Sequence, residues 1–196
     1  MFIDYVGLLL INMMIGYVLL AAYVYRGLDD PLNKRWVPGF AMVGVIAFVF
    51  GGHMVMTWPI IGQYNDAFGE MSVLLGIIFL GAAFAIGKGW SLTMVAVYAF
   101  FAGLAAIDLG ACIISMKMTL VPNLSGAGFI LSGLGGVMAA PTLLWFRNNR
   151  PFRTLAALIL LAAALIWAVT VYPEYWMHMK AFAKWVPMAM RSMPTH

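Results

Sequence analysis

The sequence predicts an all-α integral membrane bundle of about six transmembrane helices, followed by a C-terminal amphipathic interfacial helix. Three observations lead there. Of 196 residues, 64% are hydrophobic and only 9% charged, whereas a soluble domain carries about 25% charged and 45–50% apolar residues. Such a chain cannot cover a water-facing surface, and its mean hydropathy is +0.96. The apolar residues fall in six runs close to the ~20 residues that cross a bilayer. The runs are continuous rather than alternating, which suits helices that satisfy their own backbone groups in lipid and not barrel strands.

The first run spans about 3–25 and ends at "YVYRGLDDP"; its length and its early Asp4 read as a span rather than a cleaved signal peptide. The second covers about 37–58 and ends at "TWP", and the third covers about 70–87 and ends at "GKG". The fourth covers about 90–114, the fifth about 126–146, ending at "RNNRP", and the sixth about 154–172, ending at "VYP". Trp36, Trp58, Trp90, Trp145 and Tyr172 stand at span ends, as an interfacial aromatic belt requires. Ala102, Ala106 and Gly110 on the fourth span, and Ser132 and Gly136 on the fifth, recur at fourfold spacing and allow close helix packing.

Residues 1–172 are thus expected to form the bundle and 173–196 an amphipathic tail on the outer surface. In the tail, Tyr175, Met179, Phe182 and Val186 fall on one helical face and Lys180 and Lys184 on another, until Pro187 interrupts. Six spans place both termini on one side. The loops 26–36, 88–89 and 147–153 hold seven Lys and Arg, against four on the other side. That bias puts the basic loops in the cytoplasm and both termini outside the cell membrane.

The net charge of +4 comes from these loop residues and does not indicate nucleic-acid binding. Cys112 is the single cysteine, which excludes an intramolecular disulfide framework and any CxxC metal site. The expected partners are membrane lipids and other membrane subunits, reached through the bundle or the tail. A short echo, "MVMTWP" at 54–59 and "MKMTLVP" at 116–122, closes the second and fourth spans.

The polar residues suggest a site in the outer leaflet. With this topology His53, Glu70 and Asp108 come from spans two, three and four and lie near the outer boundary, with Asp4 and Asp66 beside them. An ionisable group inside a membrane costs about 2.5–3.5 kcal/mol on insertion scales and needs a partner or water. A shared pocket meets that need. His53, Met56, Glu70, Asp108 and Cys112 form a candidate metal set, biased toward copper by the sulfur donors. His53, Tyr64, Glu70 and Asp108 form a candidate cofactor set, with His53 and Tyr64 as donors to a quinone or a lipid headgroup. Asp108 is alternatively the titrating group of a proton- or ion-coupled transporter. Each of these residues also has a plain structural role open to it: turn, helix end, hydrogen-bonded pair or packing. Bis-histidine haem is disfavoured, since only His53 of the three histidines lies within a span. No Walker, GxSxG, HExxH or GxGxxG motif stands in a suitable context.

The run "HMVMTWPIIGQYNDAFGEMSVLLGIIFLGAA", with "YAFFAGLAAIDLG" and "GAGFILSGLGGV", resembles an uncharacterised family of small archaeal and bacterial polytopic membrane proteins, a domain of unknown function. Trp58, Pro59, Tyr64, Asn65, Phe68, Gly69 and Glu70 match its TWP…YN…FGE pattern, and the resemblance covers about residues 40–140. Ile60-Ile61 and Met71 depart from it, which implies a less rigid outer loop. The resemblance implies a polytopic helical membrane protein and no activity. With no complete catalytic set, the residues favour an accessory subunit of a membrane respiratory or monooxygenase complex, with a small-solute, metal-ion or proton-coupled transporter as the alternative.

Overall fold

The computed structural model describes residues 4–183, 185 and 186. Six helices long and apolar enough to cross a membrane form a multi-pass bundle, and no strand occurs among the described residues. They are α1 (Tyr5–Tyr25), α2 (Val37–Thr57), α3 (Met71–Lys88), α4 (Thr93–Met116), α5 (Pro122–Leu144) and α6 (Arg150–Phe182). Each packs on its neighbours in sequence, and α6 returns to α1, so the six close into a ring. α4 and α5 pack most intimately, while α3 and α4 form the loosest adjacent pair.

Small residues set the close pairs. A methyl group added at Gly103 would lie 2.5 Å from the carbonyl oxygen of Gly133, and one at Gly110 would lie 2.7 Å from that of Gly126. Between α2 and α3, a methyl at Gly76 would lie 2.5 Å from the backbone nitrogen of Phe48. Backbones this near leave room for hydrogen alone, the expected packing mode where lipid supplies no hydrophobic drive between helices. Gly110 and Gly136 belong to the spacing series seen in the sequence, but Gly103 and Gly133 make the nearest approach.

Polar side chains tie the ring at its ends. At the basic-loop end Arg153, only 3% exposed, reaches from the first turn of α6 to the last turn of α1. Its Nε donates to the carbonyl of Val24 at 2.8 Å and its Nη2 to that of Tyr25 at 2.8 Å, while Nη1 pairs with Asp29. The last carbonyls of a helix lack intrahelical partners and carry partial negative charge. Arg153 therefore caps a helix to which it does not belong. In the loop between α1 and α2, the backbone N–H of Leu32 holds the carboxyl of Asp30 below its usual range, with Trp36 and Arg35 assisting. At the opposite end His178 Nδ1 lies 2.6 Å from the Asp4 carboxylate and Nε2 lies 3.5 Å from that of Glu174. Asp4 also caps α1 by accepting from the N–H of Gly7. The two ends of the described chain thus share one face of the bundle.

The sixth helix differs from the sequence expectation. It does not stop near Tyr172 but runs on to Phe182 with Pro173 inside it. Residues 173–182 prolong α6 and make no separate helix, while 184 and 187–196 lie outside the described residues. At 33 residues and 1.5 Å per residue it is about 50 Å long, well beyond the ~30 Å hydrocarbon core. Tyr175 packs against the core at this end and the His178–Asp4 pair fastens the extension, so the missing Pro173 N–H is tolerated.

Candidate functional site

Among the helices lies a lumen, a partly open cavity of about 140 Å³ whose wall comes mainly from α1, α3, α4 and α5, with Phe40 from α2 and Trp167 from α6. Its polar content is sparse. The phenol of Tyr17 stands beside Ser132, whose hydroxyl accepts from the Trp167 indole N–H at 3.0 Å. The Thr142 hydroxyl is spent on the carbonyl of Met138 at 2.6 Å. No Asp, Glu, Lys, Arg or His lines the cavity among the described residues.

Aromatic rings bound the cavity at both ends. Toward the termini, Phe129 meets Trp167 edge-on, ring centres 5.2 Å apart, and Phe68 meets Phe129 at 5.4 Å. Beyond this wall the core is filled by Leu9, Met54 and Ile113, which are fully buried. Toward the basic loops, Phe40 stands edge-on to Phe79 at 5.3 Å and to Tyr23 at 5.2 Å. Edge-to-face pairs of this kind fix ring orientation and contribute about 0.5–1.5 kcal/mol each beyond burial.

Phe68 is delivered to the first wall by an unusual segment. Residues Asn65–Glu70 form a π-turn that leads into α3. Such turns are rare and are enriched at functional sites. Asn65 fixes the segment: its Nδ2 donates to the carbonyls of Ile60 and Gly62, and its Oδ1 accepts from the N–H of Ile60. The YN…FGE stretch therefore has a physical role, in which Asn65 clamps the loop, Tyr64 stacks on Phe68, and Phe68 faces Phe129.

The ionisable residues singled out in the sequence lie elsewhere. His53 is exposed near the end of α2, its Nδ1 2.7 Å from the Tyr5 hydroxyl and the two rings stacked. Thr57 donates to the His53 carbonyl at 2.7 Å, and its Oγ1 also lies 3.2 Å from Nδ1, so Nδ1 sits between two hydroxyls. Met56 is 82% exposed. Glu70 and Asp66 are exposed, as is Asp108 on α4, and neither Glu70 nor Asp108 has a side-chain partner among the described residues. Cys112 is a half-buried free thiol. The structure brings no three His, Cys, Asp or Glu together as a metal-holding group among the described residues, and none of His53, Met56, Tyr64, Glu70, Asp108 and Cys112 lines the cavity.

Sequence reasoning missed Tyr17, Phe129 and Trp167 and took Ser132 as packing alone. One signal was available: Trp167 lies mid-span, away from the interfacial belt where tryptophan in a membrane helix is ordinarily placed.

The chain belongs to the family described as a protein of unknown function (DUF981), whose model matches residues 1–181. None of the curated proteins matches it in sequence. Among solved structures it is similar to the urea channel of Helicobacter pylori, determined by cryo-electron microscopy in a closed state. The TM-score is 0.68 at 14% identity, over 92% of this chain and 99% of that one. At that identity the likeness is one of fold.

Proposed function

We propose that this member of the DUF981 family is a channel for a small uncharged solute, with the central lumen as its path. The supporting observation is the lumen itself: a cavity with wall residues from all six helices, without a charged side chain, whose polar groups include the mutually bonded hydroxyls of Tyr17 and Ser132. A bare ion entering such a space would lose its hydration with no opposite charge to replace it. An uncharged solute with one or two hydrogen-bonding groups would lose much less, and the hydroxyls would meet it halfway. The Phe129–Trp167 wall is the constriction it must pass. The fold likeness to a urea channel agrees with this reading. It does not name the solute.

The ion-coupled form of transport has less support, because Asp108 and His53 stand outside the lumen. An accessory-subunit role, and copper or quinone as cofactor, find no supporting observation among the described residues. The orientation with both termini outside the cell remains part of the proposal and rests on the basic loops.

Stopped-flow light scattering on proteoliposomes tests the channel reading. Urea, acetamide and glycerol serve as uncharged solutes, and guanidinium as a charged molecule of nearly urea's shape. At least one uncharged solute should equilibrate faster than in protein-free vesicles, and guanidinium should not. If none enters faster, or if guanidinium keeps pace with urea, the reading is wrong.

A further inference from the structure

The outward face of α4 is a stripe of Met94, Tyr98, Phe101, Leu104, Asp108 and Ala111, all exposed. Five of these suit lipid and Asp108 does not. Counting from Lys117, where the helix ends, Asp108 lies roughly 13 Å inside the boundary at 1.5 Å per residue. A carboxylate there, facing acyl chains, is costly and calls for a donor. Lipid phosphates are anionic and cannot supply one. No side chain of its own chain does so among the described residues.

The outward face of α2 carries the complement. His53 is exposed beside Val49 and Met56. Its Nδ1 is taken up by the Tyr5 and Thr57 hydroxyls, and Nε2, without a partner among the described residues, is the nitrogen left to donate. His53 lies roughly 7–8 Å inside Trp58, about one helical turn from the depth of Asp108. Within one chain α3 stands between α2 and α4 in the ring, so the two faces do not pack on each other. We propose that they meet between copies: Asp108 on α4 of one chain accepts from His53 on α2 of the next, and the copies assemble side by side in the membrane.

The chemistry selects this arrangement over a two-fold α4–α4 contact. An α4–α4 dimer would set two Asp108 carboxylates face to face, and like charges at close range repel. A contact from α4 to α2 is heterologous, and such contacts generate closed rings when the rotation closes. The occupant is therefore a second copy of this chain, since that copy carries a donor within about one helical turn of the depth of Asp108.

Cysteine cross-linking in native membranes tests it, in a Cys112→Ala background with copper phenanthroline as oxidant. A chain bearing both His53→Cys and Asp108→Cys should give a ladder of linked species on denaturing gels, and each single change should give none. Because these changes remove the proposed pair, Val49→Cys with Ala105→Cys repeats the experiment with His53 and Asp108 intact. A ladder is expected again, falling severalfold when Asp108→Leu is added. Absence of a ladder from the second chain overturns the proposal. So does a dimer from Asp108→Cys alone, a cross-link only to a protein of different mass, or a ladder that Asp108→Leu leaves unchanged.

Discussion

The indole of Trp167 donates to the hydroxyl of Ser132 across the α5–α6 seam, 3.0 Å from nitrogen to oxygen, on the wall of the lumen. Trp167 is fully buried and Ser132 nearly so, so this bond holds the largest ring of the cavity wall in one orientation. Ser132→Ala would leave the indole N–H unpaired, which costs about 1–3 kcal/mol. The expected result is a lowered midpoint of thermal unfolding in detergent. Solute selectivity should also change, because the ring is freed and a lumen hydroxyl is lost. Trp167→Phe removes both the donor and part of the constriction and should raise solute flux. An unchanged flux in both variants would place the path elsewhere.

Arg153 makes the second prediction. Its guanidinium satisfies the Val24 and Tyr25 carbonyls and pairs with Asp29. Arg153→Lys keeps the charge but loses the planar fork that serves several acceptors at once. Hydrogen bonds to charged groups contribute about 1.5–3 kcal/mol each. Arg153→Ala should therefore be severely destabilising, and Arg153→Lys should recover only part of the loss. Full recovery by lysine in a detergent melting series would show that charge alone matters at this position.

The α4–α5 contact makes the third. Gly133→Ala would place its methyl 2.5 Å from the Gly103 carbonyl and 2.9 Å from the Ile107 nitrogen. Neither backbone atom can swing aside, so the helices must separate, at a cost of about 1–3 kcal/mol or more. At Gly81 a methyl meets only Val95 side-chain carbons at 3.5 and 3.9 Å. Gly81→Ala should stabilise by up to about 1 kcal/mol through helix propensity. Melting temperatures moving in opposite directions in the two variants would confirm the contrast. Similar shifts would count against the close approach.

The helices were legible in the sequence because hydropathy and length report the same thing in a bilayer. The expected second span at 37–58 is α2 at Val37–Thr57, and the third at 70–87 is α3 at Met71–Lys88. The sixth was read too short, since Pro173 and the charged residues after it resemble an ending, while Tyr175 and His178 tie this stretch of the helix to the core and to Asp4. The lumen was not legible. A helix in such a ring has apolar residues toward lipid and apolar residues toward the cavity, so no polarity contrast marks which face is inward. Phe101 faces out and Phe129 faces in, and nothing in their local sequence separates them. Ionisable residues draw the eye for a sound physical reason, yet here they lie on outward faces and at the rims.

The circular order of the helices bears on how the molecule is made. Among the six helices every extensively packed pair but one is consecutive in the chain, so each new helix can settle against its predecessor soon after it leaves the ribosome. The exception is α1 with α6, the first and last to be synthesised. Until α6 arrives the assembly is an open arc with its future interior exposed to acyl chains. Closing the arc must expel those chains, and it is fixed at both rims by α6 side chains that meet partners in place since the first helix: Arg153 on the Val24 and Tyr25 carbonyls, His178 on Asp4. The last of the six helices to be translated is thus the one that turns an arc of helices into a ring.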